Sequence, residues 1–247
     1  MCAYIPTPEY HIRKLSCTDR LSYAEIKSSP FASFKKISDK AHFLHECLRH
    51  NGCTANVEAR VIPSISPCDI MTWHDPNEIQ ALNIELRCMV AHEAKDVFAP
   101  IAPLLDLNIK KNVVIIDWSF KMARAMCFSD ELLVMLAARG VERVVLCDTY
   151  TLLSADATER CCARTVQIFS EMQFGYCIVD NDREKALEKL RRASNAGIQC
   201  LHVNLPEEAK MSIPLITDVQ ESIPGEDIRL STTFDRSGVR FGTNRDL

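Results

Sequence analysis

Short apolar runs recur between Asn112 and Asn204, each closed by a polar residue: Val113–Asp117, Val144–Asp148, Tyr176–Asp180 and Leu201–Asn204. A charged segment of helical character separates each run from the next. The closing residues 117, 148, 180 and 204 stand 31, 32 and 24 positions apart. Runs of this length rich in Val, Ile and Leu read as strands, and the order strand, helix, strand reads as a β-α repeat. Further strands are expected at Asn56–Ile62, at Leu82–Cys88, where apolar and polar residues alternate, and at Asp227–Phe234. The strand starts then fall near 57, 82, 113, 144, 176, 201 and 228.

The helices follow from period 3.6 and from their end signals. Asp39–Arg49 carries Phe43, Leu44, Cys47 and Leu48 as one apolar stripe and stops at Asn51-Gly52. Ala94–Leu107 is apolar at helical spacing but must kink or shorten at Pro100 and Pro103, because proline removes a backbone donor. Ser129–Arg139 opens on a capping residue and ends at Gly140, Ser154–Ser170 follows, and Asn181 with Glu184 has capping-box spacing. Ile213–Ile223 is one more helix, interrupted by Pro214. The only element expected before Asp39 is a short helix near Ser22–Lys27.

These elements divide the chain into an irregular N-terminal segment (1–40), a single α/β repeat domain (41–235) and a flexible tail (236–247). Two architectures suit a β-α repeat of 20 to 50 residues. A uniform short period favours a leucine-rich-repeat-like solenoid, with strands lining one face. Runs such as Val113–Ile116, apolar on both faces, favour the alternative, a doubly wound parallel sheet with helices on both sides. The solenoid is the leading expectation.

Composition narrows the function more than the fold. A net charge of −4 and scattered Lys and Arg give no general attraction to nucleic acid or anionic membrane. The densest basic cluster, Lys185, Lys189, Arg191 and Arg192, is interleaved with Glu184 and Glu188 and reads as a solvated helix face. Seven glycines in 247 residues, with no Gly-rich phosphate loop, weigh against nucleotide chemistry. No apolar run approaches the roughly 20 residues of a membrane span, and the N-terminus has no signal-peptide core. Twelve cysteines include Cys147, Cys177 and Cys200 inside apolar runs, and no C-x-x-C pair occurs. Free thiols and a cytoplasmic or nuclear location are expected.

Three constellations invite chemistry. Asp117, Asp148, Asp180 and Asn204 close successive strands, and ligands of open α/β sheets bind at that edge; as turn residues they need no such role. His42, His45, Cys47, His50 and Cys53 suggest zinc, yet His42 and His50 would lie about 12 Å apart along a helix. Cys161-Cys162 lies mid-helix, where successive side chains diverge by about 100°. Val144–Thr151 resembles the nucleophile strand of haloacid-dehalogenase phosphatases, with Asp148 in the nucleophile position; Tyr150 replaces the second Asp and no Gly follows.

Phe128–Leu146, with Leu132-Leu133 on a short helix leading into a strand, then a polar turn and the Asp156-led helix, resembles the F-box-associated, leucine-rich-repeat-like regions of nematode families. The resemblance covers about Ala94–Asn204 and implies a target-binding module related to ubiquitin-ligase adaptors, although residues 1–40 carry no F-box pattern. The expectation is therefore a non-catalytic protein-interaction scaffold that needs neither cofactor nor metal and whose partner is another protein. Trp118, Asp148, Tyr150, Asp180, Asp182 and Asn204 are the candidate partner-binding residues. The alternative is an α/β enzyme with a carboxyl-edge Asp site, either a metal-dependent or a phosphatase-like hydrolase.

Cysteines placed as small hydrophobes should not be needed for stability as disulfides. Thermal melts with and without reductant should nearly coincide, and a large loss of melting temperature on reduction would overturn this.

Overall fold

A computed structural model describes residues 21–27, 54–88, 91–119, 126–180, 182–203, 216–223 and 228–234, with positions 39, 41–42, 44–46, 48–49, 122, 214 and 225. Its strands are β1 (Leu21–Lys27), β2 (Asn56–Val61), β3 (Ala81–Arg87), β4 (Lys111–Ile116), β5 (Arg143–Asp148), β6 (Gln173–Ile178), β7 (Cys200–His202) and β8 (Arg229–Phe234). Each pairs in parallel with the next, and β1 also pairs in parallel with β8, so the sheet closes into a barrel.

The helices are α1 (Pro67–Trp73), α2 (Ala94–Phe98), α3 (Ala102–Leu105), α4 (Met126–Ala137), α5 (Ala155–Ile168), α6 (Arg183–Asn195) and α7 (Ile216–Ser222). Eight parallel strands with helices in the intervening segments make a (β/α)8 barrel.

Seven of these strands stand where the hydrophobic pattern puts them. The exception decides the architecture. Leu21–Lys27, expected to be irregular or a short helix at Ser22–Lys27, is strand β1. It lies between β2 and β8, with Ala24 opposite both Val57 and Thr232. This corrects the leucine-rich-repeat-like solenoid, whose strands form an open row. A parallel sheet flanked by helices is the nearer of the two expectations, but closure replaces the second helix layer by a side-chain-filled interior.

Strand parity sets the packing. Val57, Ala59, Leu82, Ile84, Val113, Ile115, Val144, Leu146, Phe174, Leu201 and Leu230 face outward and form one large core with the helices. The α5 residues Thr158, Cys162 and Thr165 are buried at i, i+4, i+7 spacing. Ser154 caps α5 by accepting from Ala157 N at 3.2 Å. Asp182, one residue beyond the expected Asn181, caps α6 through Glu184 N and Lys185 N. Pro100 and Pro103 split the expected Ala94–Leu107 helix into α2 and α3. Helix α4 begins at Met126, so Ser129 lies inside it, and Gly140 beyond its end has a φ of 69°.

Asp148 belongs to this outer layer. Although it ends β5, it is fully buried on the outward face, accepting from Tyr176 Oη at 3.2 Å and from the buried Lys189 Nζ of α6 at 3.4 Å. Lys189 also approaches Asp180 at 3.8 Å. A residue that merely closed a strand could be removed cheaply; here removal leaves an ammonium buried with one longer contact. Asp148→Ala should therefore cost about 3–5 kcal/mol. Asp148→Asn, which keeps an acceptor for Tyr176, should cost less. Urea denaturation measures both, and a loss below about 1 kcal/mol for the alanine variant, the range of exposed pairs, would refute the pairing.

Candidate active site at the barrel mouth

The residues of opposite parity fill the barrel. On β4, β5 and β6 they are mostly apolar: Val114, Val145 and Cys147 form a small core against Ile116 and Cys177. Gly175 makes room there, since a Cβ at that position would lie 3.2 Å from Val145 Cγ2 and 3.4 Å from the Cys200 carbonyl. On β1, β2 and β3 the inward residues are polar, and Tyr23, Glu25, Glu58, Arg60, Asn83 and Glu85 are all buried.

These polar groups are joined end to end. Arg143, at the start of β5, stacks over the Tyr23 ring at 3.9 Å and meets Glu58 at 2.5 Å. Asn83 donates to Glu58 at 2.9 Å and to Glu25 at 2.6 Å, and Glu25 pairs with Arg60 at 2.6 Å. Asn112 reaches Asn83 at 2.9 Å, and Tyr23 Oη hydrogen-bonds His202 Nε2. The ladder rises from the N-terminal end of the barrel at Arg143 toward the C-terminal end at Arg60.

The carboxyls respond differently to burial. Burial pushes Glu25 up, but the opposing contacts, the Arg60 guanidinium first among them and the Asn83 hydrogen bond included, together hold the carboxyl below the usual range. Burial wins at Glu58, which Arg143 offsets only in part. The His202 ring is pushed down by burial to about 3, so it is neutral at physiological pH.

At the C-terminal end the ladder opens into a mouth. Glu85 is buried and accepts from Arg87 Nε at 2.8 Å, whereas the Arg87 side chain is 72% exposed. Asp117, just after β4, has a φ of 65°, a left-handed conformation uncommon outside glycine. Its backbone N–H donates to Thr149 Oγ1, at 3.4 Å, in the loop after β5. Burial raises the Asp117 carboxyl above the usual range, only partly countered by Arg87 and the Thr149 hydroxyl. The next loop repeats the strain: Thr151 has a φ of 49°, between the exposed side chains of Tyr150 and Leu152. Left-handed non-glycine residues concentrate at functional sites.

The expected site residues scatter across this geometry. Trp118 is buried, edge-to-face with Tyr176 at 6.2 Å. Asp148 and the half-buried Asp180 share Lys189 in the helix layer, whereas Asp117 faces Arg87 and Thr149, so the strand-end carboxylates form no single cluster. Among the described residues no group of three or more His, Cys, Asp or Glu could hold a metal ion. Asp182 is a helix cap, Tyr150 lies at the mouth, and Asn204 falls outside the described residues. Of the zinc candidates, His42 bonds Glu78 at 2.9 Å, while Cys47, His50 and Cys53 lie outside the described residues.

Glu25, Glu58, Arg60, Asn83, Glu85, Arg87 and Arg143 were not among the expected site residues. For those on β2 and β3 the signal was the alternation of these strands, which reads as a solvated face until the sheet closes.

No protein-family model and no curated protein matches the sequence. Solved structures do match the fold. Deoxyribose phosphate aldolase from Aeropyrum pernix matches at a TM-score of 0.51 and 10% identity, over 79% of this chain and 77% of that one. Pyruvate carboxylase from Rhizobium etli matches at 0.61 and 13%, over 89% of this chain and 24% of that one. Its carboxyl transferase domain, solved with pyruvate, matches at 0.60 and 12%, over 89% and 40%. The chain thus spans less than half the length of those carboxylase chains.

The expected leucine-rich-repeat-like, F-box-associated scaffold for protein binding is overturned by these findings. There is no open row of strand edges to present to a target, and the similar folds are those of enzymes.

Arg60 is in place to neutralise the fully buried Glu25. Arg60→Met should cost about 3–5 kcal/mol by leaving Glu25 buried and uncompensated, while Glu25→Gln combined with Arg60→Met should recover most of it. Equilibrium unfolding of the single and double variants measures the coupling; additive losses would show that the pair is not a unit.

Proposed function

We propose that the protein is an enzyme whose active site is the C-terminal mouth of the barrel, with Asp117 as its general acid–base group. The observation that carries this reading is the state of Asp117: a buried carboxyl in a left-handed backbone conformation, raised above the usual range at a strand's C-terminal end. In barrels of this kind catalytic groups come from those strand ends and the loops beyond them. A carboxyl shifted toward neutrality exchanges protons more readily at physiological pH than an ordinary Asp.

The neighbours of Asp117 suit proton transfer on a small anionic carbonyl compound. The exposed Arg87 guanidinium, held by Glu85, offers N–H groups to a carboxylate or phosphate. Thr149 orients Asp117 from the adjacent loop. The substrate class is also supported by the similar folds, an aldolase acting on a sugar phosphate and a carboxyl transferase domain solved with pyruvate. Lys111, at the start of β4, donates to the carbonyls of Leu105 and Leu107. The reading rests on the raised Asp117 carboxyl.

Pyruvate, other short 2-oxo acids and phosphorylated hydroxyaldehydes in deuterated water provide the test, with loss of the α-proton signal followed by NMR. The wild-type protein should accelerate exchange of at least one of them, and Asp117→Asn should lower the rate about 10²–10⁴-fold with the fold intact. As the base, Asp117 must be deprotonated, so the rate should rise with pH through a pKa above the ordinary Asp value of about 3.9. No exchange with any of these compounds, or equal exchange by Asp117→Asn, would overturn the assignment.

A further inference from the structure

Cys147 and Cys177 are direct partners in the register of β5 and β6, and both face into the barrel. Their thiols hydrogen-bond each other. Adjacent strands lie about 4.7–4.9 Å apart, and disulfides span Cα separations of about 4.4–6.8 Å. Two thiols on one face of neighbouring strands, packed together, therefore lie within the Cα range that a disulfide spans.

They also differ in exposure. Cys147 is buried, whereas Cys177 is half-buried, with both at the fifth position of their strands. The other described cysteines lack this arrangement. Cys161 and Cys162 are successive on a helix, Cys68 is exposed on α1, and Cys200 lies 3.7 Å from the Ser22 hydroxyl.

We propose that Cys147 and Cys177 form a reversible dithiol–disulfide couple in the floor of the barrel mouth, oxidised by small disulfides of the glutathione class. The accessible Cys177 reacts first. Its thiolate attacks one sulfur of the small disulfide, forming a Cys177 mixed disulfide and releasing a thiolate that takes up the proton Cys177 lost. The deprotonated Cys147 sulfur then attacks Cys177 Sγ, forming the Cys147–Cys177 bond and releasing the second small thiol with the proton from Cys147. Two protein thiols are oxidised, one small disulfide is reduced to two thiols, and a dithiol reductant runs the sequence backwards. The contact with Cys177 and burial push the Cys147 thiol well above the usual range, which Arg60 offsets only in part, so the second step is the slow one.

Because the apolar patch of Val114, Val145 and Ile116 surrounds the pair, the bond alters the floor of the site without unfolding the barrel. The couple does not depend on the identity of the substrate or on Asp117, so its test is independent of the proposed activity.

The whole chain is incubated with oxidised glutathione, alkylated and mapped by peptide mass spectrometry. The expected result is a Cys147–Cys177 linkage, two alkylatable thiols lost at that site, and full recovery with dithiothreitol. Cys147→Ser should stop the reaction at a Cys177–glutathione adduct, and Cys177→Ser should abolish modification of Cys147. The wild-type map alone decides if either variant fails to fold. A mixed disulfide that persists at Cys177 in the wild type, or both thiols still free in folded protein, would overturn the couple.

Discussion

Closing the sheet through β1 takes one whole strand face out of water, and the rest of the structure answers to that constraint. Glu25, Glu58 and Arg60 are buried inside the barrel, so each must find its counter-charge there, and the half-buried Arg143 supplies that of Glu58. Desolvating an ion costs several kcal/mol, and only close pairing with further hydrogen bonds offsets it. Asn83 supplies those bonds by donating to both carboxylates at once. It lets two acids approach without a direct like-charge contact. The network favours one register above all: a slip by one residue in β2 would turn Glu58 and Arg60 into the helix layer and Val57 and Ala59 into the ladder.

The same closure fixes where chemistry can occur. With the N-terminal half of the interior filled by charge-paired side chains, the open end is the C-terminal one, and the β4 and β5 loops overhang it. Asp117 and Thr151 both hold left-handed conformations there. Each such residue costs of order 1–3 kcal/mol, which surrounding structure must sustain. The Asp117 N–H bond to Thr149 ties the two loops together and is part of that support.

Much of this was legible in the chain. Seven strands announced themselves by apolar runs or alternation, and proline and capping residues placed most helix ends to within a few positions. The strand that decided the architecture did not. Leu21–Lys27 contains Ser22, Glu25 and Lys27 among its apolar residues, so it lacks the continuous run that marks β4. Without it, seven β-α units look open-ended. The candidate site was hidden for a related reason. In Asn56–Val61 and Ala81–Arg87 the charged positions alternate with apolar ones, a pattern that ordinarily means one face packed and one wet. Here the apparently wet face is the barrel interior. Asp148 illustrates the converse: it shares a strand-ending position and parity with Asp117, but it stays in the strand and turns outward to Lys189, whereas Asp117 has a left-handed backbone, and sequence spacing alone does not distinguish the two.

The interior is also divided across its width, and that division links the raised carboxyl to the thiol pair. Strands β1 to β3 contribute acids, bases and amides, whereas β4 to β6 contribute Val114, Val145, Cys147 and Cys177. Asp117 stands at the end of β4, where the charged half gives way to the apolar half. Arg87 and Thr149 pull its proton off, while burial holds it on, and burial prevails. Moved wholly into the charged half, as Glu25 is, a carboxyl is held ionised by its guanidinium. The contrast between these two acids goes with a difference in contact, although contact alone does not decide it: Glu58 meets Arg143 at 2.5 Å and is still raised by burial. Glu25 has Arg60 at 2.6 Å, whereas Arg87 gives its Nε–H to Glu85 and reaches Asp117 only as a field. Glu85 thus serves Asp117 indirectly, by occupying the guanidinium that would otherwise fix it as a permanent anion.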